Sequence, residues 1–197
     1  MLLKSRRILC ALFLLAGPVE FGTSGGAAKA EQDATALPSP SAVVKPVAYV
    51  SLQPVPREKE FQIAVVVEIA RGFHINSHKP SDQYLIPTTL TAQLPVGFQV
   101  RETIYPDGRL EKFSFSPNKP LDVYTGTVTF RLRLAAGADA GLGTTSIPIT
   151  LRYQACNDTT CLQPTKVPVE VKLEVASSGA KSRAVHPEVF SATNSPH

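Results

Sequence analysis

The chain of 197 residues has no apolar run long enough to cross a membrane as a helix. A spanning helix needs about 20 apolar residues, whereas the longest run here extends only from Ile8 to Ala16. A basic start precedes that run, and small residues ending in Ala28-Lys29-Ala30 follow it, as in a secretory leader with an A-x-A-like cleavage site. We therefore predict a signal peptide over residues 1–30, cleaved near Ala30, and a periplasmic protein. A retained membrane anchor is the weaker alternative.

The chain also lacks a strong surplus of positive charge once this leader is removed. The whole sequence has 20 basic and 16 acidic residues, which gives a formal net charge of +4. Four basic residues and one acidic residue leave with the leader, so 16 basic residues remain against 15 acidic ones. Nucleic-acid-binding domains usually show a clustered basic surplus. The sequence therefore predicts no nucleic-acid partner.

Cysteine is scarce, with only three residues in the chain. Cys10 lies in the predicted leader and is lost with it. Cys156 and Cys161 lie in the stretch YQACNDTTCLQPTK, separated by four residues. In an oxidising compartment such a pair readily forms a disulfide. The alternatives that remain open are a structural disulfide that stabilises the fold, a metal-binding site and a reactive redox pair.

No segment of the predicted mature chain shows a convincing helical period, and there is no internal repeat. Instead, apolar residues alternate with polar ones, which is typical of strands with one buried face. The strongest alternation covers residues 61–69, 122–134, 146–155 and 166–175, and weaker patterns cover 47–53, 88–94 and 98–105. Short strands joined by Pro- and Gly-rich connections predict an all-β protein, an antiparallel immunoglobulin-like β-sandwich.

We assign this sandwich to residues 46–176. The preceding residues 31–45 are rich in Ala, Ser and Pro and are predicted to form a flexible lead-in. Residues 177–197 are again small and polar, so we predict a disordered tail, with a docking peptide as the alternative.

The two cysteines flank a predicted turn over residues 157–160, whose Asx and hydroxyl side chains favour local backbone hydrogen bonds. Such cross-strand neighbours lie about 4.5–5.5 Å apart at Cα, a range that overlaps the one a disulfide accepts. Closing a six-residue loop restricts the unfolded chain by only about 2 kcal/mol, against about 5 for a loop across most of the domain. A disulfide between the two cysteines would therefore stabilise the fold only weakly. Strand alternation places Tyr153 and Ala155 inward and Cys156 outward, where thiol exchange has access.

A second polar group lies in RGFHINSHKP, from Arg71 to Pro80. Continuing the preceding strand puts Phe73 and Ile75 inward, and His74 and Asn76 together on the opposite face. A histidine beside a cysteine favours the thiolate. The alternative is that His74 and His78 are merely solvated residues at a strand end.

A metal site built from Cys156, Cys161 and His74 is a third interpretation, because thiolate and imidazole bind zinc and copper. The spacing does not match a standard zinc finger. We therefore predict no metal and no other cofactor.

Three stretches resemble one family. YQACNDTTCLQPTKVPVEV resembles the active-site hairpin of the N-terminal periplasmic domain of the thiol:disulfide interchange protein DsbD, with its Y-Q-x-C, C-x-x-P and apolar strand. GFHINSHKP resembles an earlier strand and loop of that domain, and EKFSFSPNKPLDVYTG resembles its cap-loop region. The resemblance covers about Val47 to Val175.

The resemblance implies an immunoglobulin-like domain whose cysteine pair shuttles between dithiol and disulfide. By position, Cys161 is expected to form mixed disulfides with partners and Cys156 to resolve them. Phe113 or Phe115 is expected to place an aromatic ring over the pair as a cap. His74, Asn76 and Tyr153 are expected to lie near the cysteines.

The expected partners are thioredoxin-like periplasmic proteins, including those of cytochrome c maturation. Full-length relatives continue into a membrane-embedded and a thioredoxin-like domain, whereas this sequence has no second apolar segment. We therefore expect a separate membrane or thioredoxin-like electron donor. The four-residue insert between the cysteines can be longer in relatives.

Overall fold

The structure is a computed structural model that describes residues 37–190, of which most lie in strands. The predicted leader lies outside the described residues. In chain order the elements are a 3₁₀ turn (Pro40–Ala42), β1 (Val44–Val50), β2 (Leu52–Gln53), β3 (Val55–Pro56), β4 (Lys59–Ile69), β5 (His74–Asn76), β6 (Thr89–Ala92), β7 (Phe98–Ile104), β8 (Arg109–Phe113), β9 (Ser116–Tyr124), β10 (Thr127–Ala136), β11 (Gly143–Tyr153), β12 (Ala155–Cys156), β13 (Thr165–Ala176), β14 (Arg183–Ala184) and α1 (Pro187–Phe190). Among these described residues, no helix has the length and apolar character needed to span a membrane.

Two four-stranded sheets form the sandwich. One has the order β1-β4-β10-β7 and the other has the order β3-β13-β11-β6. All pairs within them are antiparallel except β13–β3, which is parallel. The alternating apolar side chains of the long strands are buried in one core, including Phe61, Ile63, Val65, Val67 and Ile69 of β4. The predicted all-β, mostly antiparallel sandwich is confirmed.

A third sheet, in the order β12-β5-β9-β8, lies beyond these two and carries the polar residues of interest. It exists because the predicted strand 122–134 is in fact two strands. The first, β9, ends at Tyr124, and Gly126 has a φ of 63°, which a residue with a Cβ rarely adopts. After this turn β10 joins β4 and β7, whereas β9 pairs with β5 and β8.

The predicted pairing of the last two long strands is confirmed. β11 pairs with β13 from Gly143 opposite Val175 to Tyr153 opposite Thr165. Past this pair the register changes by one residue, because Cys156 lies opposite Cys161. The second strand therefore carries one extra residue, as in a β-bulge, a feature that re-aims the side chains beyond it.

Residues 177–190 of the predicted disordered tail are held against the sandwich, and residues 191–197 lie outside the described residues. Within residues 177–190, β14 pairs with β2, and the Val185 backbone N–H donates a hydrogen bond to the Ser51 carbonyl oxygen at 3.0 Å. The Val185 side chain packs on the core. Arg131, whose guanidinium donates to the Val189 carbonyl at 3.0 Å, is buried although strand alternation points it outward. Residues that their composition predicts to be disordered thus cover the charged side chain of Arg131.

Candidate functional site

Cys156 and Cys161 form a disulfide at the end of the sandwich, with Cα atoms 4.0 Å apart. The separation is shorter than the predicted 4.5–5.5 Å. The insert, residues 157–160, forms the predicted turn. In it the Asn157 backbone N–H donates to the Thr160 carbonyl at 2.9 Å, and the Asn157 side-chain oxygen accepts from the Thr160 N–H at 2.8 Å. Backbone and side-chain hydrogen bonds therefore hold this tip in addition to the disulfide.

The two sulfur-bearing residues differ sharply in exposure. Cys156 is 1% exposed, whereas Cys161 is exposed. The expected exposure of Cys156 is wrong, while Tyr153 and Ala155 are buried as predicted. Ala155 lies opposite the core residue Ile75, whereas Cys156 lies opposite His74 on the other face, as the alternation predicts. That face is itself covered, because the Phe113 ring stacks on His74. A thiol from solvent therefore meets Cys161 first.

His74 of β5 is the nearest cross-strand neighbour of the disulfide. Cys156 lies opposite His74 on one side and opposite Cys161 on the other. Residues directly opposite in an antiparallel pair project from the same face, with Cβ atoms about 4.5–5.5 Å apart. His74 is only 3% exposed, so the alternative of a solvated strand-end residue is wrong for this histidine.

An aromatic cap covers the imidazole. The cap tip, defined as Phe113, Ser114 and Phe115, closes the hairpin of β8 and β9. The Phe113 ring stacks on the His74 ring with centroids 4.0 Å apart and planes 23° apart. Phe115 stacks on Phe113 at 5.4 Å and lies 6.5 Å from the His74 ring. Phe113 is therefore the ring in direct contact, and Phe115, which is 43% exposed, forms the outer layer.

The cap tip is also tied to the insert. The Ser114 hydroxyl donates a hydrogen bond to the Asp158 carbonyl oxygen at 2.5 Å. This bond links the cap to the turn between the cysteines. Sequence reasoning placed Asp158 in the predicted turn but missed Ser114 and the contact between the two residues. The position of Ser114 between two phenylalanines was a signal that could have pointed to it.

Burial sets the charge of the imidazole. Removal from water lowers the pKa of His74 to about 4, although the Asp158 carboxylate acts in the opposite direction. The ring is therefore neutral near pH 7. A histidine beside the cysteines is expected to favour the thiolate, and a neutral ring does so through a hydrogen bond rather than through a positive charge.

The structure places the other two expected neighbours in supporting positions. Asn76 is buried and its side-chain amide donates to the Ile86 carbonyl at 3.0 Å. The Tyr153 hydroxyl donates to the Pro40 carbonyl at 2.7 Å, and burial raises its pKa to about 12. Tyr153 thus fixes the 3₁₀ turn, in what was predicted to be the flexible lead-in, rather than directing its hydroxyl to the cysteines.

The two histidines of the 71–80 stretch do not meet at one site. His78 stacks on Tyr105 with ring centroids 3.6 Å apart, and its Nδ1 lies 3.2 Å from the Thr88 carbonyl oxygen. Within residues 37–190, no group of three or more His, Cys, Asp or Glu side chains is arranged to hold a metal ion.

Comparison with known proteins gives one family match. The family model described as "Thiol:disulfide interchange protein DsbD, N-terminal" matches residues 41–173. No curated protein matches the chain.

Solved structures with a similar arrangement include two N-terminal domains. The reduced DsbD N-terminal domain of Neisseria meningitidis is 16% identical, with a TM-score of 0.41, and the match covers 75% of this chain and 94% of that one. The N-terminal periplasmic domain of ScsB from Proteus mirabilis is 14% identical, with a TM-score of 0.47, and the match covers 74% of this chain and 51% of that one.

Proposed function

Because the chain belongs to the DsbD N-terminal domain family, we propose that it is an exported thiol-disulfide exchange protein that passes reducing equivalents between periplasmic or membrane redox partners. The family itself is one of thiol:disulfide interchange. The observation that carries the proposal is a disulfide with one exposed cysteine, Cys161, and one cysteine buried beside a capped imidazole, Cys156.

This asymmetry supports different roles for the two sulfurs. In the reduced protein, the Cys161 thiolate attacks the disulfide of an oxidised partner, forms a mixed disulfide and releases one partner thiolate. The Cys156 thiolate then attacks the Cys161 sulfur. The Cys156–Cys161 bond forms, the mixed disulfide breaks, and the second partner thiolate leaves. Two electrons have passed to the partner.

The cap limits which sulfur a partner reaches. Phe113 covers His74, the cross-strand neighbour of Cys156, and Ser114 ties the cap tip to the insert. Cys161 lies on the exposed side of the turn. Attack is thus directed to Cys161, and Cys156 stays protected until the mixed disulfide forms.

A purely structural disulfide is the alternative function of this pair. The loop of six residues contributes only about 2 kcal/mol by the chain-entropy relation. The same hairpin is closed by backbone hydrogen bonds from Leu162 N–H to the Ala155 carbonyl at 2.8 Å and from Asn157 N–H to the Thr160 carbonyl at 2.9 Å. The fold therefore gains little from the covalent bond, which favours the exchange function.

The proposed location is the periplasm, and the proposed partners are thioredoxin-like proteins together with a membrane electron donor. Two observations support this assignment, namely the leader-like N-terminal sequence and the family match.

Trapping tests the proposal. The reduced Cys156→Ala variant is mixed with an oxidised thioredoxin-like protein, and non-reducing electrophoresis with mass spectrometry locates any mixed disulfide. We expect a stable adduct through Cys161, because the resolving thiol is absent. The Cys161→Ala variant is the matched control and is expected to give little adduct, since Cys156 is buried. Equal trapping by both variants, or by neither, would contradict the proposal.

A further inference from the structure

We propose that His74 stabilises the thiolate of Cys156 by donating a hydrogen bond from its Nε2 atom. This role rests on the proposed function, because the Cys156 thiolate is the species that resolves the mixed disulfide. His74 lies on a strand some 80 positions upstream of Cys156. In this role it sets the reactivity of the resolving sulfur.

The first support is the row formed by three side chains. Cys161, Cys156 and His74 lie opposite one another on three adjacent strand segments. Directly opposite residues share a face of the sheet. The imidazole thus belongs to the same row as the disulfide, next to the buried sulfur rather than the exposed one.

The second support is an unsatisfied polar atom. The Nε2 atom of His74 is buried and has no hydrogen-bond partner. Buried polar groups nearly always have a partner, and one that lacks it needs a reason. Reduction of the disulfide creates a new acceptor on the residue directly opposite His74, the thiolate of the buried Cys156.

The third support is the neutral state of the ring. Because burial keeps the pKa of His74 near 4, the imidazole is uncharged at neutral pH and carries a proton on one of its two nitrogens. Asp158 is the charged group that acts on the ring, and its effect does not overcome burial. With the proton on Nε2, the ring is a donor that needs no counter-ion. Stacking on Phe113 restricts rotation of the ring and keeps its edge available.

The same hydrogen bond serves both directions of exchange. When a partner thiolate attacks Cys161, the Cys161–Cys156 bond breaks and its electron pair leaves on the Cys156 sulfur. When Cys156 attacks the mixed disulfide, that pair forms the bond again. His74 donates to the thiolate in each case and keeps its proton, so no other reactant is required.

The test measures the pKa of the Cys156 thiol without any partner protein. In the Cys161→Ser background, the rate of alkylation by iodoacetamide is followed against pH, and mass spectrometry reads the Cys156 peptide so that Cys10 does not contribute. The midpoint of the profile reports the pKa, and the plateau reports access to the thiol. We expect His74→Phe, which keeps an aromatic ring under Phe113 but removes the donor, to raise the midpoint by about one pH unit.

Two further variants separate the hydrogen bond from packing. His74→Gln places an amide N–H near the position of Nε2 and is expected to restore most of the shift. His78→Phe is the matched control, because it also replaces a stacked histidine, at a site that pairs with no cysteine. An unchanged midpoint in His74→Phe, an equal shift in His78→Phe, or no recovery in His74→Gln would overturn the proposal.

Nitrogen NMR of the unmutated chain provides a second measurement that does not depend on folding of a variant. We expect the proton of His74 to be on Nε2 in oxidised and reduced protein, and the Nε2–H resonance to move downfield on reduction. An unprotonated Nε2 in the reduced protein would refute the donor role. Failure of the trapping experiment with a shifted Cys156 midpoint would refute the exchange function alone.

Discussion

The bond between the cap tip and the insert gives the sharpest prediction about access to the buried sulfur. Ser114 donates its hydroxyl to the Asp158 carbonyl oxygen, and no side chain of the insert contributes to that bond. Ser114→Ala removes the donor with little change in volume. We expect the cap to open more often and Cys156 to become more reactive.

The expected size follows from the energy of one hydrogen bond. A neutral hydrogen bond contributes a net 0.5–1.5 kcal/mol, or about 1 kcal/mol. If cap opening limits access, a loss of about 1 kcal/mol raises the open population about fivefold, with a range of roughly 2- to 12-fold. The Phe113 stack on His74 remains in the variant, so the cap is weakened rather than removed.

The assay is the plateau rate of alkylation of Cys156 in the Cys161→Ser background, measured well above the thiol pKa. Ser116→Ala is the matched control. Its hydroxyl lies in the same hairpin but donates to the Lys119 carbonyl at 2.7 Å, away from the insert. We expect Ser116→Ala to alkylate at the rate of the unmodified background.

Two outcomes would refute this reasoning. An unchanged rate in Ser114→Ala would mean that the hydrogen bond does not govern opening of the cap. Equal acceleration in Ser114→Ala and Ser116→Ala would mean that general loosening of the hairpin, rather than the contact with Asp158, controls access.

Two other predictions concern stability. The depressed pKa of His74 means that the unfolded chain, in which histidine titrates near 6.5, binds a proton more readily than the folded one between pH 6.5 and about 4. The free energy of unfolding therefore falls as the pH falls through this window. We expect the titration of His74 to lower it by about 2 kcal/mol between pH 7 and pH 5. Urea unfolding of the unmodified protein and of His74→Phe, each at pH 7 and pH 5, measures this loss. An equal loss of unfolding free energy in the two proteins would contradict the prediction. Deletion of residues 177–197 is expected to lower the unfolding free energy by at least about 1 kcal/mol, because Val185 packs on the core and the Val189 carbonyl accepts from Arg131. An unchanged thermal midpoint would show that the segment contributes nothing.

The sequence predicts the sandwich well, because burial of one sheet face imposes a period of two on each long strand. In β4 the five apolar residues at odd positions are all buried. Gly126 ends one strand and starts another within a single alternating stretch, and alternation alone does not show this break. The composition of residues 177–190 gives no sign that they cover Arg131, because that contact joins parts of the chain 58 residues apart.

The site was predictable in its residue types but not in its geometry. The cysteine pair, His74 and the two phenylalanines are all in the sequence patterns, and the structure brings them together. The burial of Cys156 depends on the cover that Phe113 and His74 provide on the face that strand alternation marks as outward. The bond from Ser114 to Asp158 spans 44 residues and appears only when the third sheet forms.

The central claim is that Cys156 and Cys161 exchange with other thiols rather than lock the fold. Equilibration of the protein with defined ratios of reduced and oxidised glutathione, with the redox state of the pair read by mass spectrometry, tests it most directly. We predict a reduction potential above about −300 mV, so that both forms are populated within the glutathione range. A potential below about −300 mV would mark an inert structural disulfide and contradict the proposed function.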